Sequence, residues 1–269
     1  MSVHAEFFKG HHLTGSVFTH TQNNSHRYFW VKFGKHFRNQ ISSMRAHAFN
    51  GSGANVYGMS ESNFLGKFVS LNVKNNNTNS WNFVGDAIDN DIKSALLIRR
   101  SANEVTIELK KQIIPDFIKG FDKRAKGTKL SRIGEPKVFA TFFPSYDPHK
   151  SFVSIEQHLN VQLDNWPDYN ALVRYDIWIH LNEFNNIRGH VAKTYVWVEG
   201  GAFTHQVFKA ISPPLADAWL DITDQVKEKL EPFDNVVFKD VYLLPGPAPK
   251  GRIGDTGDTK SNCTLVLVL

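Results

Sequence analysis

The feature that most constrains this chain is a motif that occurs twice, about fifty residues apart, in the first part of the sequence. One copy opens Ala5-Glu6-Phe7-Phe8-Lys9-Gly10-His11-His12-Leu13-Thr14-Gly15, the other Val56-Tyr57-Gly58-Met59-Ser60-Glu61-Ser62-Asn63-Phe64-Leu65-Gly66. In each, a large side chain (Phe8, Met59) is followed five residues later by another (Leu13, Phe64), and a glycine follows (Gly15, Gly66). The glycine is free to take the positive φ that other residues avoid. An alternating strand comes next, over 16–20 and 67–73, then a polar loop, then an aromatic segment at Tyr28-Phe29-Trp30-Val31 and Trp81-Asn82-Phe83-Val84-Gly85. Each copy closes on a polar stretch, Arg38-Asn39-Gln40-Ile41-Ser42-Ser43 or Asp89-Asn90-Asp91-Ile92-Lys93-Ser94, which feeds a last strand over 44–49 or 96–99. A repeat of this period outranks other sequence signals. Four short strands with one long crossing describe a Greek key, and two such copies bury their apolar faces as a small β-sandwich.

These landmarks resemble the βγ-crystallin motif, over residues 1–110. The resemblance implies a double Greek-key sandwich. It also implies Ca²⁺ binding in the two closing loops, with Asn39, Ser42, Asp89 and Asn90 as oxygen ligands; hard oxygen donors suit that ion. Two cations depart from the pattern. Arg38 stands at the first acidic or amide position of one loop, and Lys93 stands where the other needs a hydroxyl. Positive charge there weakens any site, so the expectation is no cofactor, or weakly bound Ca²⁺, with Ser and Asn pinning the loops to backbone.

The rest reads as an antiparallel β-rich (α+β) domain over 111–269, so the fold class is mainly β. Residues 103–109 alternate as a border strand. Apolar residues at 113, 114, 117, 118 and 121 predict a helix near 112–125. Lys126–Pro136 reads as a linker or exposed loop. Strands follow at 138–143, 152–163, 171–181, 190–198 and 202–211, the last two joined by Glu199-Gly200-Gly201, so 152–211 is expected to form a four-stranded meander. A second helix is expected near 215–230, a strand over 236–244, a polar, Gly-rich loop over 250–261 and a closing strand over 264–269.

Composition bounds the function. Hydrophobic residues at 41% and charged residues at 21% of 269 residues support packed cores. The net charge is +5, and its densest stripe, Lys119 to Arg132, reads as a solvated helix and loop, so no specific nucleic-acid partner is expected. A single cysteine excludes an intrachain disulfide. The first residues lack a basic, then apolar, leader, which predicts a cytoplasmic protein or one secreted without an N-terminal signal peptide. No apolar run is long enough for a transmembrane helix, although membrane contact is compatible with the sequence. No His-Glu-x-x-His, Gly-x-Ser-x-Gly or P-loop pattern occurs. Asp176, His180, Glu183 and His190 are near enough in sequence to meet across a hairpin and form the candidate acid–base set. Trp166, Tyr169, Trp178 and Trp197 are the candidate binding surface, since aromatics on a sheet stack on sugars or settle at interfaces. The expectation is a non-catalytic binding or structural protein, such as a bacterial toxin or effector whose C-terminal domain recognises a protein, a glycan or another cell-surface target. The alternatives are a hydrolase-type enzyme with a His/acid site and a β-hairpin pore former.

Overall fold

A computed structural model describes residues 2–22, 26–49, 53–74, 76–163, 168–199, 207, 228, 231–233, 235–247 and 254–269. The strands of the repeat are β1 Ser2–Gly10, β2 Thr14–Gln22, β3 Tyr28–Lys32, β4 Ser43–Phe49, β5 Ala54–Met59, β6 Lys67–Val73, β7 Thr78–Asn82 and β8 Ser94–Arg99. After them come β9 Glu104–Glu108, α1 Leu109–Ala125, β10 Leu130–Phe142, β11 Ser151–Val161, β12 Tyr169–Leu181, β13 Ile187–Val198, β14 Asp240–Pro245, β15 Gly254–Asp258 and β16 Cys263–Val268. The described elements are mainly antiparallel strands, with one α-helix. The chain divides into two compact units. The first holds the residues up to Glu104 together with Gly246–Lys260, and the second holds Val105–Pro245 and Ser261–Leu267.

The first unit has two sheets, ordered β2-β1-β4-β7 and β15-β6-β5-β8-β3. The copies exchange a strand: β3 of the first pairs with β8 of the second, and β7 of the second pairs with β4 of the first. Equivalent bonds run in both directions. Phe33 N–H donates to the Lys93 carbonyl (3.1 Å) and Phe83 N–H to the Ser42 carbonyl (2.9 Å). Asn39 N–H donates to the Ile92 carbonyl (2.9 Å) and Asn90 N–H to the Ile41 carbonyl (3.2 Å). The motif's last serines also match, with Ser43 Oγ donating to the Gly10 carbonyl and Ser94 Oγ to the Glu61 carbonyl, both at 2.6 Å. Asn39 and Asn90 sit at φ +58° and +55°, where asparagine is among the few side chains tolerated, and Gly15 and Gly66 at +76° and +84°. Ile41 and Ile92, one from each loop, are fully buried in the core with Phe7, Met44, Leu71 and Phe83.

The region read as a polar, Gly-rich loop over 250–261 corrects that expectation. Within it, β15 pairs antiparallel with β6, from Gly254↔Leu71 to Asp258↔Lys67. Gly254 has no side chain because the Trp81 ring lies where its Cβ would be. Thr259 is buried, and its backbone N–H donates to the Gly66 carbonyl at 2.9 Å. Gly254→Ala is therefore expected to displace Trp81 or detach β15, costing about 1–3 kcal/mol as over-packing does. Urea denaturation checks this, and an unchanged midpoint would refute it.

In the second unit a sheet ordered β10-β11-β12-β13 is antiparallel throughout, and a smaller sheet is ordered β14-β16-β9. The expected linker at 126–136 is corrected. From Leu130 onward it is strand, paired with β11 from Leu130↔Val161, with an irregularity between Ile133 and Lys137 that hid its alternation. The meander therefore starts one strand earlier than expected. Nearly all of the strand expected at 202–211 and of the helix expected at 215–230 lies outside the described residues; within these spans Val207 is helical, where a strand was expected, and Glu228 is helical, as expected. The helix expected near 112–125 is α1. It starts earlier, where Lys110 N–H donates to Asn262 Oδ1 at 3.0 Å, so a side chain distant in sequence does what a local cap would do. One face of β12 (Ala171, Val173, Tyr175, Ile177) is buried, and Phe117 of α1 meets Tyr175 edge-on at 6.2 Å between ring centroids. The opposite face carries the chemistry.

Candidate functional site

Alternation along β12 places Arg174, Asp176, Trp178 and His180 on that opposite face. Strand register adds their neighbours: Ser154 and Lys193 flank Asp176, Glu156 and Tyr195 flank Arg174, and His190 lies opposite Trp178. The connection between β10 and β11 supplies Tyr146 and Lys150.

At the centre is a saturated carboxylate. Asp176 is 0% exposed. Its Oδ1 accepts from Ser154 Oγ (2.6 Å) and Arg174 Nε (2.7 Å), and its Oδ2 accepts from the Tyr146 hydroxyl (2.7 Å) and Arg174 Nη2 (3.0 Å). A carboxylate has about four lone-pair directions, and all are used. Thr141 joins the network, its hydroxyl 2.7 Å from Ser154 Oγ and 2.8 Å from Arg174 Nη2. Burial first, then the bond to Asp176, hold the Tyr146 phenol well above the ordinary tyrosine range, so it stays a hydrogen-bond donor. The group is a bidentate ion pair locked by hydroxyls, and its carboxylate has no lone pair left to take a substrate proton.

Around it lie two aromatic clusters. Trp178 stacks on His180 (3.9 Å, 16°), His190 meets Trp178 edge-on at 5.6 Å, and Lys150 Nζ sits 3.8 Å above the Trp178 ring. On β13 the rings of Tyr195 and Trp197 stack at 5.3 Å and 7°, and Trp197 is 46% exposed. Lys193 Nζ stands over the rings of Tyr146 (4.7 Å) and Tyr195 (5.0 Å). Burial first, then the neighbouring His190, lower the His180 pKa. A histidine that resists protonation when folded contributes stability above its ordinary value and loses it as pH falls below that value. Acidification through about pH 6.5 is thus expected to lower the melting temperature, and His180→Gln to flatten that decline; identical profiles would contradict this.

Of the four acid–base candidates, the structure gathers Asp176, His180 and His190 on one face. Glu183 is exposed in the turn after β12. His180 and His190 lie 5.5 Å apart between ring centroids. Of the binding-surface candidates, Trp178 and Trp197 share this face, Tyr169 opens β12 opposite Val161, and Trp166 lies outside the described residues. Sequence reasoning missed Thr141, Tyr146, Lys150, Ser154, Lys193 and Tyr195 as site residues. The phase of β13 points to Lys193 and Tyr195, but nothing local ties Tyr146 to a carboxylate thirty positions away.

In the first unit three of the four oxygen-ligand candidates, Ser42, Asp89 and Asn90, are turned to protein partners. Ser42 Oγ donates to Asn90 Oδ1 at 2.9 Å, and Asp89 Oδ2 meets His11 Nε2 at 2.8 Å, which leaves Asp89 Oδ1 buried without a partner. Asn39 is exposed, with Arg38 beside it, and Lys93 pairs with Asp91 at 3.0 Å. One orphan oxygen is not a coordination shell, and as arranged these residues do not fit Ca²⁺. Among the described residues no group of three or more His, Cys, Asp or Glu is placed to hold a metal ion, and no helix is long and apolar enough to cross a membrane. No protein-family model matches the chain, and no curated protein matches it.

Proposed function

We propose that the chain is a non-catalytic target-binding protein whose second unit recognises a cell-surface glycan through the outer face of β12 and β13. In this reading the first unit, a βγ-crystallin-like pair of Greek keys, is a stable structural module. The reciprocal strand exchange and matched loop bonds of its two copies support that likeness.

The observation that carries the binding role is the exposed Trp197 ring stacked on Tyr195, on a sheet face whose buried charges are already neutralised by each other. An exposed indole braced by a half-buried phenol ring offers a flat apolar surface to a sugar ring at little conformational cost. The saturation of Asp176 favours binding over acid–base chemistry. Trp197→Ala is expected to weaken binding of the labelled protein to glycan-bearing cells by about tenfold, equivalent to about 1.4 kcal/mol, with unchanged melting. Undiminished binding, or breakdown of the glycan by the wild-type protein, would sink this reading.

A further inference from the structure

We infer that the glycan bound on β13 carries a negative charge, and that Lys193 recognises it; this rests on the proposed glycan-binding role of that strand. Lys193, Tyr195, Trp197 and Glu199 are alternate residues along one edge of the face, about 7 Å apart from each to the next, so they form a strip with chemically different ends.

At one end the Lys193 side chain is exposed, with its ammonium held over two tyrosine rings and no carboxylate paired with it among the described residues. The acid directly across the strand, Asp176, is fully engaged by Arg174, Ser154 and Tyr146. Glu156 and Lys137 lie opposite each other further across the sheet, beyond Arg174. Among the described residues, Lys193 is therefore a positive charge that is oriented but not neutralised. An ammonium pre-positioned by cation–π contacts loses little freedom on meeting an anion.

At the other end, Glu199 Oε2 accepts from Asn170 Nδ2 at 3.0 Å, and both residues are exposed. A carboxylate and an amide side by side suit sugar hydroxyls, which donate and accept together. The Tyr195–Trp197 pair lies between the two ends. The strip fits a saccharide that stacks on the rings, offers hydroxyls to Asn170 and Glu199 and places its acidic group on Lys193. Glu199 repels a second acid at its end, so the charge is read at one position.

The test is a glycan array that carries matched neutral, carboxylated and sulfated oligosaccharides, probed with the full chain. Wild-type protein is expected to bind acidic members at least tenfold better than their neutral partners, and added salt should weaken this. Lys193→Gln is expected to remove most of that preference, Trp197→Ala to weaken acidic and neutral members alike, and Lys123→Gln with Lys126→Gln, at the C-terminal end of α1, to change neither. Equal binding of neutral and acidic members, full preference in Lys193→Gln, or its loss in the α1 variant would overturn the charge inference and leave the glycan reading standing. Absence of all glycan binding would overturn both.

Discussion

Replacing Arg174 by methionine is expected to lower the stability of the second unit by about 3–5 kcal/mol. The change removes two of the four bonds to Asp176 and leaves an ionised carboxylate with no exposed surface. Desolvation that was compensated by the guanidinium then opposes folding. Asp176→Leu should be costly for the mirror-image reason, since among the described residues Arg174 keeps only its bond to Thr141 and its contacts with the Phe139 and Tyr195 rings, both at 5.4 Å. The double replacement of Arg174 by Met and Asp176 by Leu should recover much of the loss, because a buried pair exchanged for apolar residues of similar volume is often neutral. Urea midpoints of the four proteins give the coupling directly. Additive losses in the double variant would show that the pair is not energetically linked.

A chain cut after Pro245 is expected to lose the folded state of both units, because it removes β15 and β16. Every residue of β16 is buried, and the strand lies between β14 and β9 in its sheet. Burying Leu265, Val266, Leu267 and Val268 is worth on the order of 5–10 kcal/mol, comparable with the whole stability of a domain. In the first unit the cut uncovers the β6 edge and the surface of Trp81 that faces Gly254. A fragment of residues 2–104 should accordingly be less stable than the same fragment extended by 246–260 through a flexible linker. Circular dichroism melts of the truncated chain and of the two fragments check this; native-like melting of the truncated chain would refute it.

Much of the first unit was legible before any coordinates. Large residues five apart, a glycine two further on, and a closing Asn-x-Ile-x-Ser or Asn-Asp-Ile-Lys-Ser segment report local demands: a tight hairpin, a positive φ, a buried isoleucine and a serine bonding back to the hairpin. Such demands recur wherever the local structure recurs, so two copies expose them. The buried face of β12 was legible for a similar reason, since alternation needs only neighbours along the strand. Trp178 was found by that phase, and Asp176, His180 and His190 by their nearness across a hairpin; the structure places all four on one face.

The remainder depended on partners far apart in the chain. That β3 and β7 change sheets follows from hydrogen bonds such as Phe33 to Lys93 and Phe83 to Ser42, which no window of sequence contains. That Gly254–Asp258 is a strand follows from the free edge of β6 and the Trp81 ring above it, since the segment itself, Gly-Asp-Thr-Gly-Asp, has no apolar alternation to announce one. Asp176 is an acid–base candidate by sequence alone; that Tyr146, Ser154 and Arg174 fill its lone pairs is visible only in the fold. The sequence by itself determined which residues turn inward and where the backbone must bend, because these are set by each residue and its neighbours. Only the tertiary structure decided which strands pair and which charges are already satisfied, because pairing and desolvation are settled between surfaces that meet only when the chain has folded.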